Sequence, residues 1–372
     1  MGMVKILHCA DIHIGALESF LGEDAAKRRY ETLLTFEKII DMAAKWEVQL
    51  VAIAGDLFDS NHIEESFVSA VFKKIREAQN IKFVFSAGNH DPLNSESPFL
   101  REDLPQNLFV LPAKDSEITL KDIGVRVYGR SFESVYCVGE EAFALNVPND
   151  EFVNIMVQHG DLRSDLGSDY NSVTPKFIKN SGMDYIALGH THERTEIGKL
   201  GGTHFAYCGC PEGHGFDELG CKGVYIGEVG KGVCKMQFVP TSIRQYINEK
   251  IDVSGEEDVF TLIIDTLKEK YSENYIENLY KITLVGKLLE AREIDISELS
   301  ARLSSTVYFA KIKDLTELAV DLEGLAKEAS LKGIFVKKML EKMENEEDKT
   351  TIEKALYLGL KAFDSEVKYS ED

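Results

Sequence analysis

The sequence predicts an α/β fold built around a parallel sheet, and three observations carry that expectation. The N-terminal quarter alternates apolar runs with amphipathic stretches in β-α-β-α-β order, which implies parallel strands joined by right-handed crossovers. Five apolar runs end in turns bearing His, Asp or Asn, and open α/β sheets bind ligands at the carboxyl ends of their strands. The chain has 372 residues and 44% apolar content, enough for a large core and two or three domains.

Residues 4–9 read as the first strand, leading into Ala10-Asp11-Ile12-His13-Ile14-Gly15. Asp24 stands where it would cap a helix reaching about Trp46, in which Tyr30, Leu33, Leu34, Ile39, Ile40 and Ala43 recur at helical spacing. Residues 48–54 form the second strand and exit into Gly55-Asp56-Leu57-Phe58-Asp59. A helix over about 62–79 leads to a third apolar run, 81–86, and to Gly88-Asn89-His90-Asp91. Short strands are expected at 108–111, 118–120 and 125–128. The strand 152–157 exits into Gln158-His159-Gly160-Asp161. After a helix near 175–180, the strand 185–188 exits into Gly189-His190-Thr191-His192. Residues 205–208, 223–229 and 233–239 read as antiparallel strands closing a second sheet, with the Gly/Pro-rich loop 209–215 between them.

Composition shifts near Pro240. Residues 244–312 read as strand, helix, strand, helix, strand, a compact unit of their own. From Leu322 the pattern is helical, interrupted by the charged stretch 341–349, with Thr350 placed to cap the last helix. The expected domains are therefore 1–240, 241–316 and 317–372.

The formal charge of −21 is spread along the chain without a basic block. That argues against a freestanding, electrostatically driven nucleic-acid binder. It leaves room for an enzyme whose local positive field comes from bound metal. The six cysteines form no C-x-x-C pair, so neither a zinc ribbon nor a thioredoxin-type motif is present. No apolar signal segment or membrane span is visible, and a soluble, cytoplasmic protein is expected.

The chemistry-bearing residues are Asp11, His13, Asp56, Asn89, His159, His190 and His192, all just after expected strands. Imidazole with carboxylate and amide suits manganese, iron or zinc, and the lack of thiolate argues against a structural zinc site. Seven donors exceed one tetrahedral ion. They suit two divalent ions with one shared ligand, and Asp56 is the natural bridge because a carboxylate has two oxygens. Two such ions can clamp an in-line phosphoryl displacement and make water acidic enough to attack near neutral pH. His90 is left over beside the donors, suited to protonate the leaving oxygen or to stabilise the phosphate, with Asp91 holding its ring.

Asp11-x-His13, Gly55-Asp56, Gly88-Asn89-His90-Asp91, His159 and Gly189-His190-Thr191-His192 together resemble the five motifs of the calcineurin-like metallophosphoesterases, over roughly residues 3 to 240. The resemblance implies a four-layer α/β/β/α sandwich with a dimetal site. It assigns one metal to Asp11, His13, Asp56 and His192, and the other to Asp56, Asn89, His159 and His190. It makes His90 the catalytic histidine and manganese the usual ion.

Within that superfamily, Asp59-Ser60-Asn61 departs from the Asp-Arg-Gly of protein phosphatases. His8-Cys9-Ala10-Asp11-Ile12-His13-Ile14-Gly15 and Gly55-Asp56-Leu57-Phe58-Asp59 are instead similar to the SbcD-type DNA repair exonucleases. This implies DNA as substrate, a small α/β capping domain, a helical tail that docks on an SMC-like coiled-coil ATPase, and a homodimer as one arrangement. Asp59 replaces a second functional His of archaeal and eukaryotic relatives, as in the bacterial branch. His62 reads as a solvated helix-start residue, and His214 as either a turn residue or a phosphate contact. His8 reads as core, and Cys208 and Cys210 as packing residues alternating on a strand. Two other readings use the same residues: a phosphodiesterase or phosphatase for a small substrate, and a structural subunit regulating an ATPase.

Overall fold

The computed structural model describes residues 2–137, 147–164, 167–289, 294–319, 321–345 and 348–364. The chain divides into two compact units, residues 1–247 with 277–279, and residues 248–276 with 280–372.

In the first unit, β1 (Val4–Cys9), β2 (Leu50–Ile53), β3 (Lys82–Phe85) and β4 (Leu108–Val110) are parallel neighbours in that order. The helices α1 (Ala25–Lys45) and α2 (Glu65–Glu77) make the first two crossovers. A second sheet contains β5 (Ser116–Leu120), β6 (Val125–Gly129), β7 (Val153–His159) and β8 (Tyr185–Gly189). It is completed by β9 (Gly198–Leu200) and β10 (Thr203–Tyr207), in the order β5-β6-β7-β8-β10-β9.

Strand periodicity explains the layering, because successive side chains point to opposite faces. Leu7, Cys9, Val51, Ile53, Phe83 and Phe85 pack against Leu33, Phe36, Ile39, Val68, Val71 and Phe72 of the two helices. Their strand neighbours Ile6, Leu50, Ala52 and Val84 pack against Val127, Ile155, Val157 and Ala187 of the second sheet. The other face of that sheet, with Met156, Ile186 and Leu188, packs on Ile178 of α3 (Pro175–Asn180). The order helix, sheet, sheet, helix is the four-layer sandwich.

One expectation is corrected. The strands β11 (Gly223–Gly230) and β12 (Val233–Pro240) do not close the second sheet. They extend the first, with β11 antiparallel to β1. The reason lies in β11, which places Val224 and Ile226 in the helix-facing core and Tyr225 and Val229 in the core between the sheets. A strand apolar on both faces belongs inside a covered sheet. Likewise β10 pairs parallel to β8, and it ends before Cys208.

Two caps also differ. The chain enters α1 from a 3-10 turn, Ser19–Asp24, so Asp24 already has helical dihedrals and its side chain caps nothing. The last helix begins at Lys349, and Asp348 rather than Thr350 accepts from the Thr351 amide, at 3.1 Å.

The second unit has a three-stranded sheet of β13 (Tyr246–Asp252), β14 (Leu279–Val285) and β16 (Phe309–Asp314), with β13 beginning in the first unit. The helices α4 (Val259–Tyr271) and α5 (Ile296–Ser304) are capped by Asp258 and Asp295. Between them in sequence lies β15 (Lys287–Leu289), which pairs parallel to β17 (Glu317–Ala319). Then α6 (Leu322–Leu325), α7 (Leu331–Asn345) and α8 (Lys349–Asp364) share a small core of Leu325, Val336, Leu356 and Leu360. Residues 346 and 347 of the charged stretch lie outside the described residues. No helix among the described residues is long and apolar enough to cross a membrane.

Candidate metal centre

The exits of β1, β2, β3, β7 and β8 meet through short backbone-anchored contacts. The His13 amide donates to the Asp56 carbonyl at 3.0 Å. The His90 amide donates to Asp56 Oδ1, and the His190 amide to Asp11 Oδ1, each at 2.9 Å. Asp11, His13, Asp56 and His190 all have positive φ, at 52°, 47°, 49° and 101°. Side chains with a Cβ adopt that region at a cost, and such outliers gather at functional sites. The glycines of two motifs serve close approach: a Cβ on Gly55 would run into the His159 ring, and one on Gly88 into the Asp56 carboxylate.

The side chains converge as acceptors. His159 Nδ1 donates to the Ala54 carbonyl at 2.9 Å, so its Nε2 carries a lone pair. That Nε2 faces Asn89 Oδ1 at 2.9 Å and Asp56 Oδ2 at 3.3 Å. His190 lies with Nε2 3.3 Å from Asp161 Oδ1 and Nδ1 3.2 Å from the same Asn89 oxygen. His13 Nδ1 is held by Asp59 at 3.2 Å, and His192 Nδ1 by Glu218 at 2.5 Å. Their Nε2 atoms then face each other at 3.2 Å. Around His159 and Asn89, lone pairs and oxygens crowd together without protons between them, an arrangement that fits divalent cations. Among the described residues, ligand-type atoms gather within 4.8 Å of one another as Asp11/His13/His192, as Asp11/Asp56/His159 and as His13/Asp56/His90. A further such group is His192/Cys210/Glu218.

The electrostatics agree. Burial holds the His13, His159 and His190 imidazoles below their ordinary range, in the neutral form that ligates metals. Burial pushes the Asp11 carboxyl up, with Asp56 adding repulsion. Asp56 is held low: burial opposes ionisation, but His159, His13 and His90 outweigh it. Burial also opposes charge on His192, yet the Glu218 hydrogen bond and Asp11 raise it to about 9.

His90 gathers with His13 and Asp56 but, unlike them, is exposed. Its side chain is 44% exposed, and its Nδ1 lies 3.0 Å from the Asp59 carbonyl, which leaves Nε2 open. Asp91 does not hold the His90 ring, contrary to expectation. Its buried carboxylate accepts from the amides of Gly88 (2.8 Å), Leu57 (2.7 Å), Phe58 (3.1 Å) and Asp56 (3.2 Å). Four nearby backbone donors outcompete one ring, and Asp91 shapes the turn that carries Asp56. Burial and the Asp56 charge push Asp91 up to about 7.

Four neighbours are missed by sequence reasoning: Glu218 on His192, Asp161 on His190, Tyr170 with its ring 4.7 Å from that of His190, and Asp59 as the partner of His13. Asp59 and Asp161 close the quoted motifs and were within reach of a pattern argument. Glu218 and Tyr170 carry no spacing signal.

His8 is buried against Tyr185 and Leu188, and His62 is exposed beside Glu96. His204 takes no part in these groups. Cys210 is buried with Sγ 3.4 Å from Glu218. His214 sits at the centre's edge, its ring 5.4 Å from that of His13.

Residues 4–194, which include all seven donors and His90, match the model of the calcineurin-like phosphoesterases. The chain is 27% identical to the uncharacterized metallophosphoesterase YhaO of Bacillus subtilis, over 87% of this chain and 84% of that protein. It is 24% identical to the DNA double-strand break repair protein Mre11 of Saccharolobus solfataricus, over 86% of this chain and 84% of that protein. For the protein of the same name in Sulfurisphaera tokodaii the identity is 27%, over 87% and 85%. With a family model covering just over half its length, along the strands whose exits form the centre, the chain belongs to the calcineurin-like phosphoesterase family.

Proposed function

We propose that this chain is a metal-dependent phosphodiesterase acting on DNA, the nuclease subunit of an SbcCD-like double-strand-break repair assembly. The observation that carries the chemistry is the meeting of His159 Nε2, Asn89 Oδ1 and Asp56 Oδ2, three acceptors without a proton to share. The similarity to proteins named for DNA double-strand break repair, over most of their length, favours DNA.

Asp11, His13, Asp56 and His192 would hold one ion, and Asp56, Asn89, His159 and His190 the other, with manganese the metal to test first. Bound divalent ions supply charge neutralisation of the phosphoryl oxygens and activation of water at neutral pH. The chain's own residues do the rest. Asp59 and Glu218 fix the tautomers of His13 and His192 through their Nδ1 atoms. Asp91 holds the turn that presents Asp56. The Asp59 carbonyl accepts from His90 Nδ1 and orients the ring, and in its doubly protonated form the ring gives the Nε2 proton to the leaving oxygen of the ester, returning to the neutral imidazole. Residues 241–316 serve as a cap that selects substrate, and residues 317–372 as the docking segment for a coiled-coil ATPase. That partner supplies DNA grip which a net charge of −21 does not.

The test is degradation of linear DNA by the purified chain with Mn2+, beside His90→Asn and a small chromogenic phosphodiester, with and without an SMC-like coiled-coil ATPase from the same organism. DNA cut by the wild type and not by the variant supports the nuclease. Cleavage of the small ester alone, with the ATPase present, moves the assignment to a small-substrate phosphodiesterase.

A further inference from the structure

We infer that Cys210 Sγ, the Glu218 carboxylate and His192 Nδ1 form a separate metal site for a thiophilic divalent cation, and that filling it takes His192 away from the centre and inhibits the enzyme. The inhibition rests on the phosphoesterase reading above; the thiolate site does not.

The loop after β10 runs back along the turn that carries His192. The Cys210 amide and Lys222 Nζ both donate to the His192 carbonyl, each at 3.2 Å. Gly209 permits this approach: its φ is 72°, and a Cβ there would stand 2.9 Å from the His192 carbonyl oxygen. Cys210 Sγ therefore lies 3.4 Å from Glu218 Oε2, while Glu218 Oε1 meets His192 Nδ1 at 2.5 Å. The His214 amide steadies the carboxylate, donating to Oε2 at 2.9 Å. Of the groups of ligand-type atoms that gather within 4.8 Å among the described residues, this one alone contains sulfur.

Thiolate, imidazole and carboxylate are the donors that zinc prefers. Bonds of about 2.3 Å to sulfur and about 2.0–2.2 Å to nitrogen and oxygen set tetrahedral ligand atoms roughly 3.3–3.7 Å apart. Sγ and Oε2 already stand at 3.4 Å, and the Nδ1–Oε1 contact opens by under about 1 Å once its proton leaves. The cation displaces two protons to solvent, one from Sγ and one from Nδ1. It has a way in: Cys210 is buried and forms the floor, but the His192 and Glu218 side chains are 30% and 14% exposed. The seven donors of the centre are oxygen and nitrogen alone, so sulfur sets this site apart.

His192 couples the two sites. A neutral imidazole has one N–H and one lone pair. With Nδ1 donating to Glu218, the lone pair lies on Nε2, which faces His13 and serves the ion assigned to Asp11, His13, Asp56 and His192. With a cation on Nδ1, the proton lies on Nε2 and that ion loses a ligand. The cation at the thiol and the ion at the centre thus make opposing claims on one ring.

The experiment compares wild type, Cys210→Ser and Cys210→Ala in the full chain, reduced and chelator-treated. Co2+ is titrated first, because a thiolate ligand gives a near-ultraviolet charge-transfer band that oxygen and nitrogen donors do not. Wild type should show the band, and both variants should lack it while binding Mn2+ as wild type does. Zn2+ is then titrated against Mn2+-driven turnover of a chromogenic phosphodiester. Zn2+ also competes at the centre, but that effect is common to all three proteins, and the difference between them reads the thiolate site. Inhibition of wild type should need at least about tenfold less Zn2+, since even the outer partners of a metal are worth about 10–100-fold in affinity. No band in wild type, or a band that survives in both variants, would make Cys210 a packing residue. A band with equal Zn2+ sensitivity in all three proteins would overturn the inhibition. A wild type that shows the band but turns over no ester would keep the thiolate site and bring down the reading of the centre, and the inhibition with it.

Discussion

His13 and His192 face each other Nε2 to Nε2 at 3.2 Å, while the Nδ1 of each is held by a carboxylate, Asp59 and Glu218. Two imidazoles so fixed have only two stable states: one proton shared between them, or a cation bound by both lone pairs. In the metal-free protein the proton belongs to His192, raised to about 9 against burial by Glu218 and Asp11. Mn2+ must displace it, because a ligating histidine is neutral. Addition of Mn2+ to chelator-treated protein at pH 7.5 should therefore release about one proton from this pair. It should also stabilise the fold by about 2.7 kcal/mol per site at a hundredfold excess over Kd. Calorimetry in two buffers of different ionisation enthalpy reads the first, and thermal unfolding the second. No proton release and no rise in Tm would mean that the pair simply shares a proton.

His90→Asn should lower kcat by about a hundredfold or more, the usual share of a general acid, with Mn2+ stoichiometry unchanged. The prediction follows from the ring's own contacts: Nδ1 is committed to the Asp59 carbonyl, and Nε2 is not. Loss of an ion in the variant would make His90 a ligand, in keeping with its proximity to His13 and Asp56.

Asp91→Ala should behave differently from the His90 variant. The Asp91 carboxylate satisfies four amides around the Asp56 turn, and its removal strands buried donors. The expected cost is about 3 kcal/mol or more, from several charge-assisted hydrogen bonds lost together. Mn2+ affinity should fall with it, because Asp56 rides on that turn. A variant of normal stability and metal affinity that is merely slow would restore Asp91 to the role of orienting His90.

The strand exits are legible in the sequence because strand, turn and donor are contiguous. Asp11-x-His13 and His190-x-His192 declare themselves within three residues, and the apolar runs before them need a sheet. Partners brought in by tertiary contact are not legible. Arg28 meets the Gly213 carbonyl 185 residues away, and Arg244 pairs with Glu31 across 213 residues. On a helix or in a loop, each of these charges reads as solvated surface. The placement of β11 and β12 is hidden for another reason. An antiparallel pair has the same local pattern whichever sheet receives it, and only the shape of the two cores chooses. Asp91 shows a subtler limit: adjacency to His90 in sequence implies a ring contact, while the folded turn offers its carboxylate four amides at once.

His8 gives the fold an acid-sensitive element away from the donors. The ring is fully buried between the Tyr185 hydroxyl at 2.9 Å and the Leu188 carbonyl at 3.1 Å. Burial pushes its pKa down to about 3, against the raising effect of the Leu188 hydrogen bond. An unfolded chain binds a proton there below about 6.5, whereas the folded chain does not until about 3. Stability from this group is therefore complete above pH 6.5 and is lost as pH falls through that window, at up to about 1.4 kcal/mol per pH unit. Between pH 7 and pH 5 the loss amounts to about 2 kcal/mol. Urea unfolding of chelator-treated wild type and His8→Gln at the two pH values isolates it, because every other titrating group is common to both. The wild type should lose about 2 kcal/mol more than the variant over that interval. Equal losses would mean that the folded protein protonates His8 as readily as the unfolded chain, and that the buried ring is not the acid-sensitive element.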